Sequence, residues 1–472
     1  MICRLLIYFL GLISYGQMLP LADASWEKNE YISLCYHDVP LRVDGDPYAV
    51  DLESLVDQIE YLLRHEYNFI SFQDVIDANK GLKNLPSKAV LMTFDDGYES
   101  FHDNILPILE LYRVPAVFAI VSSWIQQAPK APRGKEKLYP KIISLEKLKR
   151  VAKSPLVEIS CHSHNMHKAV QLNRYKNTAA SLPTRQYLGL EDRFETFDEY
   201  HRRLKNDLQE NIDFIERELG LKPRIMVWPY GKYNRLAVET AKELGLAYHY
   251  TLNKGENLSN QPDHTKRKLI VNNPNGAGFA LLMQTKFYMD YRKTFYFSNF
   301  NKNDLAWRKL HLDSFVESMF KLKPSYVVLD YVPGDLQFLS HSCRALNMRN
   351  MSVLISLSKN DRAKISDLAQ LLDLDGLVFK DYLPLPEEVL AFKYYRPKGI
   401  VIGAGGDCDY QLCYDESELD QKSELLKKKI FFSDNESRLL KSLSLGVKYI
   451  ASDKEYKCLS NKVFPMKGYF KK

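Results

Sequence analysis

The hydrophobic positions of this chain repeat with two different periods. Short apolar runs, typical of buried parallel strands, alternate with segments whose apolar residues recur at the spacing of an amphipathic helix. One helix is predicted at 52–63, and a longer one begins at the capping box of Thr196 and Glu199 and ends near Gly220. The strands predicted around them are residues 32–36, 89–94, 116–121, 156–160, 224–228 and 246–252. This alternation predicts an α/β fold with a parallel sheet, which we interpret as an incomplete (βα) barrel.

A second alternating series begins near residue 290. Its predicted strands are residues 294–300, 326–331, 352–357, 376–380, 399–402, 430–433 and 448–451. Roughly 180 residues remain for this series, whereas an eight-stranded βα barrel typically needs about 250. We therefore expect a first domain at 25–280, followed by a truncated or degenerate βα-barrel-like domain at 290–472.

The first 24 residues have the pattern of an export signal. Arg4 supplies the positive start, residues 5–15 form an apolar run, and Ala22-Asp23-Ala24 offers a cleavage site with small residues. The run is too short for a transmembrane span, and no later segment is long and apolar enough to be one. We expect cleavage near Ala24 and export to the periplasm or the cell exterior.

Charge and cysteine content bear on the partners and the redox compartment of the protein. The net charge of +6 is spread over 472 residues without a dense Lys/Arg block, which argues against nucleic-acid binding. An oxidising compartment would permit disulfides, although sequence alone does not fix their pairing. Cys408 and Cys413 are the nearest local pair, whereas Cys35 and Cys161 are expected to be buried on strands.

Polar residues that can carry chemistry follow several of the predicted strands. In Thr93-Phe94-Asp95-Asp96-Gly97 two carboxylates are adjacent, and their mutual repulsion is relieved if a cation takes one as a ligand. His162 and His167 would complete an Asp-His-His site that keeps positions open for water, as in a hydrolytic metal centre. Because the strand ends meet at one edge, these clusters should converge there with those at Tyr36-His37-Asp38 and Trp228-Pro229-Tyr230-Gly231.

The motifs in this order resemble the polysaccharide deacetylases of carbohydrate esterase family 4. Among them the chain is most similar to the exported poly-β-1,6-N-acetyl-D-glucosamine N-deacetylases of biofilm systems. The Tyr-His-Asp motif comes first in the chain, and the two histidines are five rather than four positions apart. The resemblance covers nearly all of residues 30–275. It implies a polysaccharide deacetylase domain at 25–280 that hydrolyses acetamide groups on a β-linked N-acetylglucosamine polymer, with the polysaccharide export machinery as a partner.

The resemblance also implies a role for each polar residue. Asp96, His162 and His167 would hold a divalent metal, and their oxygen and nitrogen ligands suit zinc, nickel or cobalt equally. Asp95, beside the metal, would act as the general base, and His37 would protonate the departing amine. Asp38 either orients His37 or caps the turn.

The segment before Gly231 is expected to bind the substrate. The resemblance implies that the backbone N–H of Tyr230 stabilises the oxyanion and that Trp228 lies beside it. Related enzymes often hold the base with an arginine just before Pro-Tyr-Gly, but Val227 and Trp228 stand at that place here. The sequence therefore leaves open what holds Asp95.

The second module resembles, more weakly, the glycoside-hydrolase-like domain of the same proteins. The acidic segment of that domain is replaced near residues 295–300, and its His-Asp-Asp becomes Lys380-Asp381-Tyr382. Asp330 and Asp381 remain as isolated carboxylates, so we expect a reduced domain that binds or guides polymer without cleaving it. The open alternatives are a deacetylase of chitin-like or peptidoglycan glycans, a non-catalytic polysaccharide-binding protein, and a bifunctional deacetylase–glycosidase.

Overall fold

The computed structural model describes residues 26–127, 141–174, 176, 178–253, 255, 257–284, 293–322, 324–347, 351–372, 374–380, 382–396, 399–403, 408–413, 429–435, 437–438 and 449–452. The predicted signal peptide and Asp381 lie outside these residues. Within the described part of the chain, no helix has both the length and the apolar character needed to cross a membrane.

The first domain is built around parallel strands joined by helices. Its strands are β1 (Glu30–Tyr36), β2 (Asn68–Phe69), β3 (Ala89–Phe94), β4 (Ala116–Ile120), β5 (Val157–Cys161), β6 (Ala169–Gln171), β7 (Thr178–Ala180), β8 (Tyr187–Leu188), β9 (Arg193–Phe194), β10 (Ile225–Val227), β11 (Tyr248–Thr251), β12 (Asn257–Leu258) and β13 (His264–Leu269). Its helices are α1 (Leu52–Arg64), α2 (Phe72–Asn79), α3 (Leu106–Tyr112), α4 (Ser122–Gln127), α5 (Leu145–Val151), α6 (Phe197–Leu219), α7 (Arg235–Glu243) and α8 (Gly276–Gln284).

Seven of these strands close into a ring. Strand β1 pairs in parallel with both β3 and β13, and the remaining pairs continue around the ring as β3–β4–β5–β10–β11–β13. The predicted parallel α/β barrel is confirmed, and it is incomplete in having one strand fewer than the usual eight. Strand β13, which completes the ring beside β1, was absent from the predicted strands.

Alternating residues of the ring strands form two separate cores. Along β1, Tyr31 packs inside the barrel with Leu91 of β3, whereas Leu34 and Tyr36 pack outside it beneath the helices. Side chains alternate between the two faces of a strand, so Cys35 and the following His37 continue the inward row. This alternation decides which residues at the strand ends can reach the mouth of the barrel.

Helix α6 has the predicted boundaries and secures one side of the barrel. The hydroxyl of Thr196 accepts the N–H of Glu199, whose carboxylate in turn accepts the N–H of Thr196, which completes the capping box. Gly220 ends the helix in a left-handed conformation with φ +67°.

The eight strands of the second domain close into a ring, so its sheet is not truncated as expected. Its strands are β14 (Lys293–Ser298), β15 (Tyr326–Asp330), β16 (Ser352–Leu357), β17 (Gly376–Phe379), β18 (Ile400–Gly403), β19 (Tyr410–Cys413), β20 (Lys429–Phe432) and β21 (Tyr449–Ser452), and they form a closed ring. Its helices are α9 (Leu305–Leu322), α10 (Leu336–Asn347), α11 (Ile365–Leu371) and α12 (Pro386–Tyr395). The ring fits into a short chain because its strands have only four to six residues and the link from β18 to β19 is short.

Cys408 and Cys413, the local pair for which sequence left disulfide pairing open, are not joined to each other. Both cysteines lack a disulfide. Cys413 ends β19, which is extended from Tyr410 onward. The expectation that Cys35 and Cys161 are buried on strands is confirmed.

Candidate active site and metal centre

Four strand ends bring the predicted site residues to one mouth of the first barrel. His37 directly follows β1, Asp95 and Asp96 follow β3, and His162 follows β5. A short helical turn, Pro229–Gly231, follows β10. Because all these strands are parallel members of one ring, their carboxyl ends face the same side.

Asp96, His162 and His167 converge on a single point. The Nε2 atoms of both histidines lie 3.2 Å from Oδ1 of Asp96, and that oxygen is buried without a hydrogen-bond partner among the described residues. Burial alone would raise the pKa of Asp96, but the two imidazoles outweigh it and hold the pKa well below its ordinary value. A carboxylate oxygen and two imidazole nitrogens are typical ligands of a divalent metal. Asp96, His162 and His167 therefore fit such an ion.

Neighbouring groups fix the orientation of His162. Its Nδ1–H donates to the carbonyl of Val227 at 2.7 Å, which leaves the lone pair of Nε2 directed at Asp96. Its backbone N–H donates to the amide oxygen of Asn211 in α6 at 3.1 Å. Burial lowers the pKa of His162, but the carboxylates of Asp96 and Asp95 outweigh it and raise the pKa above its ordinary value.

The same helix holds the loop between the two metal-facing histidines. The carboxylate of Asp207 in α6 accepts the backbone N–H groups of His164 and Asn165 at 3.0 and 2.6 Å. The ring of His164 hydrogen-bonds to the hydroxyl of Ser122 at 2.9 Å. His164 therefore belongs to the support of the loop, whereas His162 and His167 face Asp96.

Arg267 holds the predicted base, and the sequence reasoning missed it. Its Nη1 and Nη2 donate to Oδ1 and Oδ2 of Asp95 at 2.7 and 2.9 Å, and Nη1 also donates to the hydroxyl of Thr93 at 3.0 Å. Burial would raise the pKa of Asp95, but the guanidinium outweighs it and lowers the pKa. Arg267 lies on β13, so the base is fixed from a strand that the hydrophobic pattern did not reveal.

Cys35 and His37 complete the surroundings of the base. The thiol of Cys35 donates to Oδ2 of Asp95 at 3.4 Å, and Nδ1 of His37 is buried without a partner among the described residues. One potential ligand atom from each of Cys35, His37 and Asp95 lies within 4.8 Å of the others. The carboxylate of Asp38 accepts the hydroxyl of Ser100 at 2.6 Å.

The Tyr230 turn has the strained geometry expected of a functional backbone. Tyr230 adopts φ +56°, which is uncommon for a bulky residue. The following N–H groups, of Gly231 and Lys232, donate to backbone carbonyls, whereas the N–H of Tyr230 has no acceptor among the described residues. The ring of Tyr230 is 48% exposed and lies 4.5 Å from that of His167, between centroids.

Trp228 does not line the site, which corrects its predicted role in substrate binding. Its side chain is 0% exposed and stacks on His249 with ring centroids 5.4 Å apart. The reason is the alternation along β10, since Val227 faces the barrel interior and Trp228 faces the helices.

Two aromatic residues near the metal site were not predicted. Burial and the carboxylate of Asp96 raise the pKa of the Tyr98 phenol, which places Tyr98 against the central ligand. The ring of Trp124, in α4, lies 5.0 Å from that of His167. Tyr98 directly follows Asp95-Asp96-Gly97, and that position was the available signal for it.

At the second barrel, the isolated carboxylate of Asp330 is engaged by a lysine. Nζ of Lys380 lies 2.7 Å from Oδ1 of Asp330 and 5.2 Å from the centroid of the Phe297 ring. Asp330 ends β15, and Lys380 directly follows β17, so the pair lies at the carboxyl ends of these strands.

Comparison with known proteins gives one family and several relatives. Residues 82–249 match the family model described as polysaccharide deacetylase. A protein of Escherichia coli (strain K12) named poly-beta-1,6-N-acetyl-D-glucosamine N-deacetylase is 33% identical over 264 residues, which cover 55% of this chain and 39% of that protein. A protein of the same name from Staphylococcus aureus (strain MRSA252) is 24% identical over 48% of this chain and 68% of its own length.

A solved structure of a de-N-acetylase from Aggregatibacter actinomycetemcomitans is also similar. It is 32% identical, with a TM-score of 0.49, and the match covers 54% of this chain and 99% of that chain. The present chain thus spans only 39% of the length of the Escherichia coli relative, although it spans nearly all of the solved chain.

Proposed function

We propose that the chain hydrolyses acetamide groups on a β-linked N-acetylglucosamine polymer, namely poly-β-1,6-N-acetyl-D-glucosamine, because residues 82–249 match the family model described as polysaccharide deacetylase. The observation that carries this proposal is the convergence of Asp96, His162 and His167 beside the arginine-held carboxylate of Asp95. The named relatives support the substrate.

Each residue of the site has a distinct task in this reaction. A divalent metal held by Asp96, His162 and His167 supplies a Lewis acid and lowers the pKa of water. Asp95, kept ionised by Arg267, accepts a proton from the attacking water. The remaining steps concern the carbonyl and the leaving amine.

Two groups act on the opposite sides of the acetamide. The N–H of Tyr230 donates to the oxygen on which negative charge develops, and the strained turn keeps that donor fixed before the reaction. His37 protonates the amine as the carbon–nitrogen bond breaks. The amine and acetate then leave through the open mouth of the barrel.

The choice of metal is part of the proposal. Zinc, nickel and cobalt all suit one carboxylate and two imidazoles, and metal availability decides between them. Removing His162 should abolish metal binding, whereas removing His164 of the same loop should preserve it, because His164 faces Ser122. Metal content of the two alanine variants, measured by elemental analysis, tests the assignment, and equal loss from both would contradict it.

The second barrel is proposed to be a reduced glycoside-hydrolase-like domain that guides the polymer. A cavity of about 270 Å³ lies between the domains, and both contribute aromatic and polar side chains. The first domain supplies Tyr230 and Tyr233, and the second supplies Tyr326, Asp375 and Arg396. Since Tyr230 also borders the metal site, a polymer unit in this cavity would lie next to the unit being deacetylated.

We propose that this barrel does not cleave glycosidic bonds. Glycoside hydrolysis of the usual kind needs two carboxylates, one on each side of the bond. Asp330 instead forms an ion pair with Lys380. Incubation of the full chain with partly deacetylated polymer should leave chain length unchanged. Shortened chains that disappear in the Asp330→Asn variant would contradict this expectation.

Export is a further part of the proposal. Residues 1–24 would be removed near Ala24, and the mature protein would work in the periplasm or outside the cell with the polysaccharide export machinery. Amino-terminal sequencing of the mature protein tests the cleavage site. A mature chain that still begins at Met1 would refute it.

Acetate release tests the central proposal. We expect release from defined β-1,6-linked N-acetylglucosamine oligomers that disappears on metal removal, returns on adding zinc, nickel or cobalt, and is absent in Asp96→Ala. Faster release from β-1,4-linked oligomers would assign the chain to chitin-like substrates, and release from peptidoglycan alone would assign it to that glycan. Polymer binding without any acetate release would make it a binding protein and overturn the proposal.

A further inference from the structure

A second group of side chains that could hold a metal ion includes the proposed base, Asp95. Cys35 and His37 are two positions apart on the inward row of β1, and Asp95 follows the neighbouring strand β3. One ligand atom from each of the three residues lies within 4.8 Å of the other two. None of them belongs to the group formed by Asp96, His162 and His167.

The three donors have the ligand chemistry of zinc-like ions, and one pair of them already has the required spacing. Ligands at about 2.0–2.3 Å from a tetrahedral ion lie about 3.5 Å from one another. Sγ of Cys35 is already 3.4 Å from Oδ2 of Asp95, and the buried Nδ1 of His37 has no partner among the described residues. Arg267 occupies one position on each oxygen of Asp95, and each carboxylate oxygen can accept a second contact.

We propose that Cys35, His37 and Asp95 form a second, inhibitory site for a thiophilic divalent cation, such as cadmium or excess zinc. When the cation binds, the S–H bond of Cys35 breaks, its proton passes to solvent, and the thiolate sulfur forms a bond to the metal. The hard ions Mg²⁺ and Ca²⁺ prefer oxygen ligands and do not make this exchange.

The position of the site explains why its occupancy would inhibit. The ion engages Asp95 and His37, which the proposed function assigns as base and acid, so neither can transfer a proton while it is bound. The guanidinium of Arg267 and the metal of the first site both repel a second cation. The second site therefore fills only after the first, when the thiophilic ion is in excess.

The test is a cadmium titration of the full-length protein after the first site has been loaded with one equivalent of zinc. Binding to a thiolate produces a sulfur-to-cadmium charge-transfer absorption in the ultraviolet, which is independent of any deacetylation. Cys35→Ser keeps the size of the side chain but removes the soft ligand. Cys161→Ser is the matched control, since Cys161 is also fully buried at the end of a strand of the same barrel.

We expect the difference spectrum between wild type and Cys35→Ser to account for one bound cadmium, and that between wild type and Cys161→Ser to be flat. Losing a group that hydrogen-bonds to a metal ligand typically weakens metal binding roughly 10–100-fold. Losing the Cys35 ligand itself should weaken cadmium binding at least as much. Inhibition by cadmium, expressed relative to each variant's own cadmium-free activity, should weaken by a similar factor in Cys35→Ser.

Identical spectra for wild type and Cys35→Ser, both folded by circular dichroism, would overturn the proposal. Equal inhibition of these two proteins would also overturn it. Inhibition rests on the proposed deacetylase function, whereas the absorption does not. An inactive protein that still shows the Cys35-dependent absorption would therefore refute the function and leave the metal site supported.

Discussion

Replacing Arg267 by methionine should separate the support of the base from the chemistry of the metal. The arginine side chain is 0% exposed, and its partner Asp95 is 3% exposed, so the pair is screened very little by water. Methionine fills a similar volume without charge or donors. The variant therefore leaves a buried carboxylate without the two hydrogen bonds that hold it.

The expected loss of stability follows from the burial of this pair. Removing one partner of a buried ion pair typically costs about 3–5 kcal/mol of the free energy of unfolding. Arg224 provides the control, because it also makes two bonds to one carboxylate, that of Glu158, but both side chains are about one-third exposed. Arg224→Met should cost only about 1 kcal/mol, since exposed pairs contribute little.

The pH dependence of this loss has a definite sign. In the wild type the folded-state pKa of Asp95 is lowered, so the pair contributes stability above the unfolded-state pKa and loses it as pH falls through the folded value. Without Arg267, burial should raise the folded-state pKa instead. Destabilisation by Arg267→Met should then be largest near neutral pH and shrink as the solution is acidified.

Urea unfolding and acetate release measure the two consequences. We expect Arg267→Met to lower the free energy of unfolding at neutral pH and to move the acidic limb of the kcat/KM profile to higher pH. Adding Asp95→Asn to it should recover part of the stability without restoring activity, because the unpaired charge is gone. A variant as stable as Arg224→Met, with an unchanged pH profile, would refute the reasoning.

Three further predictions concern the reacting groups. Asp95→Asn should abolish acetate release while keeping the bound metal, and His162→Ala should lose both; activity in the former without deamidation to Asp would contradict this. His37→Ala should lower kcat by about 10²–10⁴-fold with little change in KM, whereas lost stability with normal turnover would indicate a packing role. Gly231→Ala should lower kcat by displacing the oxyanion turn, because its Cβ would lie 2.7 Å from a neighbouring side chain. Gly220→Ala, with a similar positive φ but open space, should affect only stability.

The convergence of Asp96, His162 and His167 was predictable because strand ends in a parallel barrel must meet. Asp96 and His162 each stand within two positions of the end of a hydrophobic run that is recognisable in the sequence. His167 lies five positions after His162, close enough that the loop held by Asp207 returns it to the same point. No alternative pairing of strands was needed to place these side chains together.

Arg267 was not predictable in the same way because its strand does not look hydrophobic. Side chains in the segment His264-Thr265-Lys266-Arg267-Lys268-Leu269 alternate between the two faces of the strand. The inward residues Thr265 and Arg267 are polar. A search for apolar runs therefore passes over it. The available signal was indirect, namely that the usual arginine is missing before Pro229 and that a buried base still needs a partner.

The error over Trp228 has a different origin. The strand was predicted correctly, but the face of its last residue was not, and a shift of one position exchanges the two faces of a strand. Motif position along the chain identifies which loop reaches the site. It does not identify which side chain of that loop points into it.

The arrangement around Asp95 depends on closure of the barrel. The segment that matches the family model, residues 82–249, contains the metal triad, Asp95 and Tyr230, but neither His37 nor Arg267. His37 directly follows β1 and Arg267 lies on β13. These two strands pair with each other and join β3 to β11. Without these strands the ring would be open, the acid would be missing and the base would be unsupported. The metal ligands can therefore be specified locally, whereas the proton-transfer groups become usable only when both ends of the domain come together.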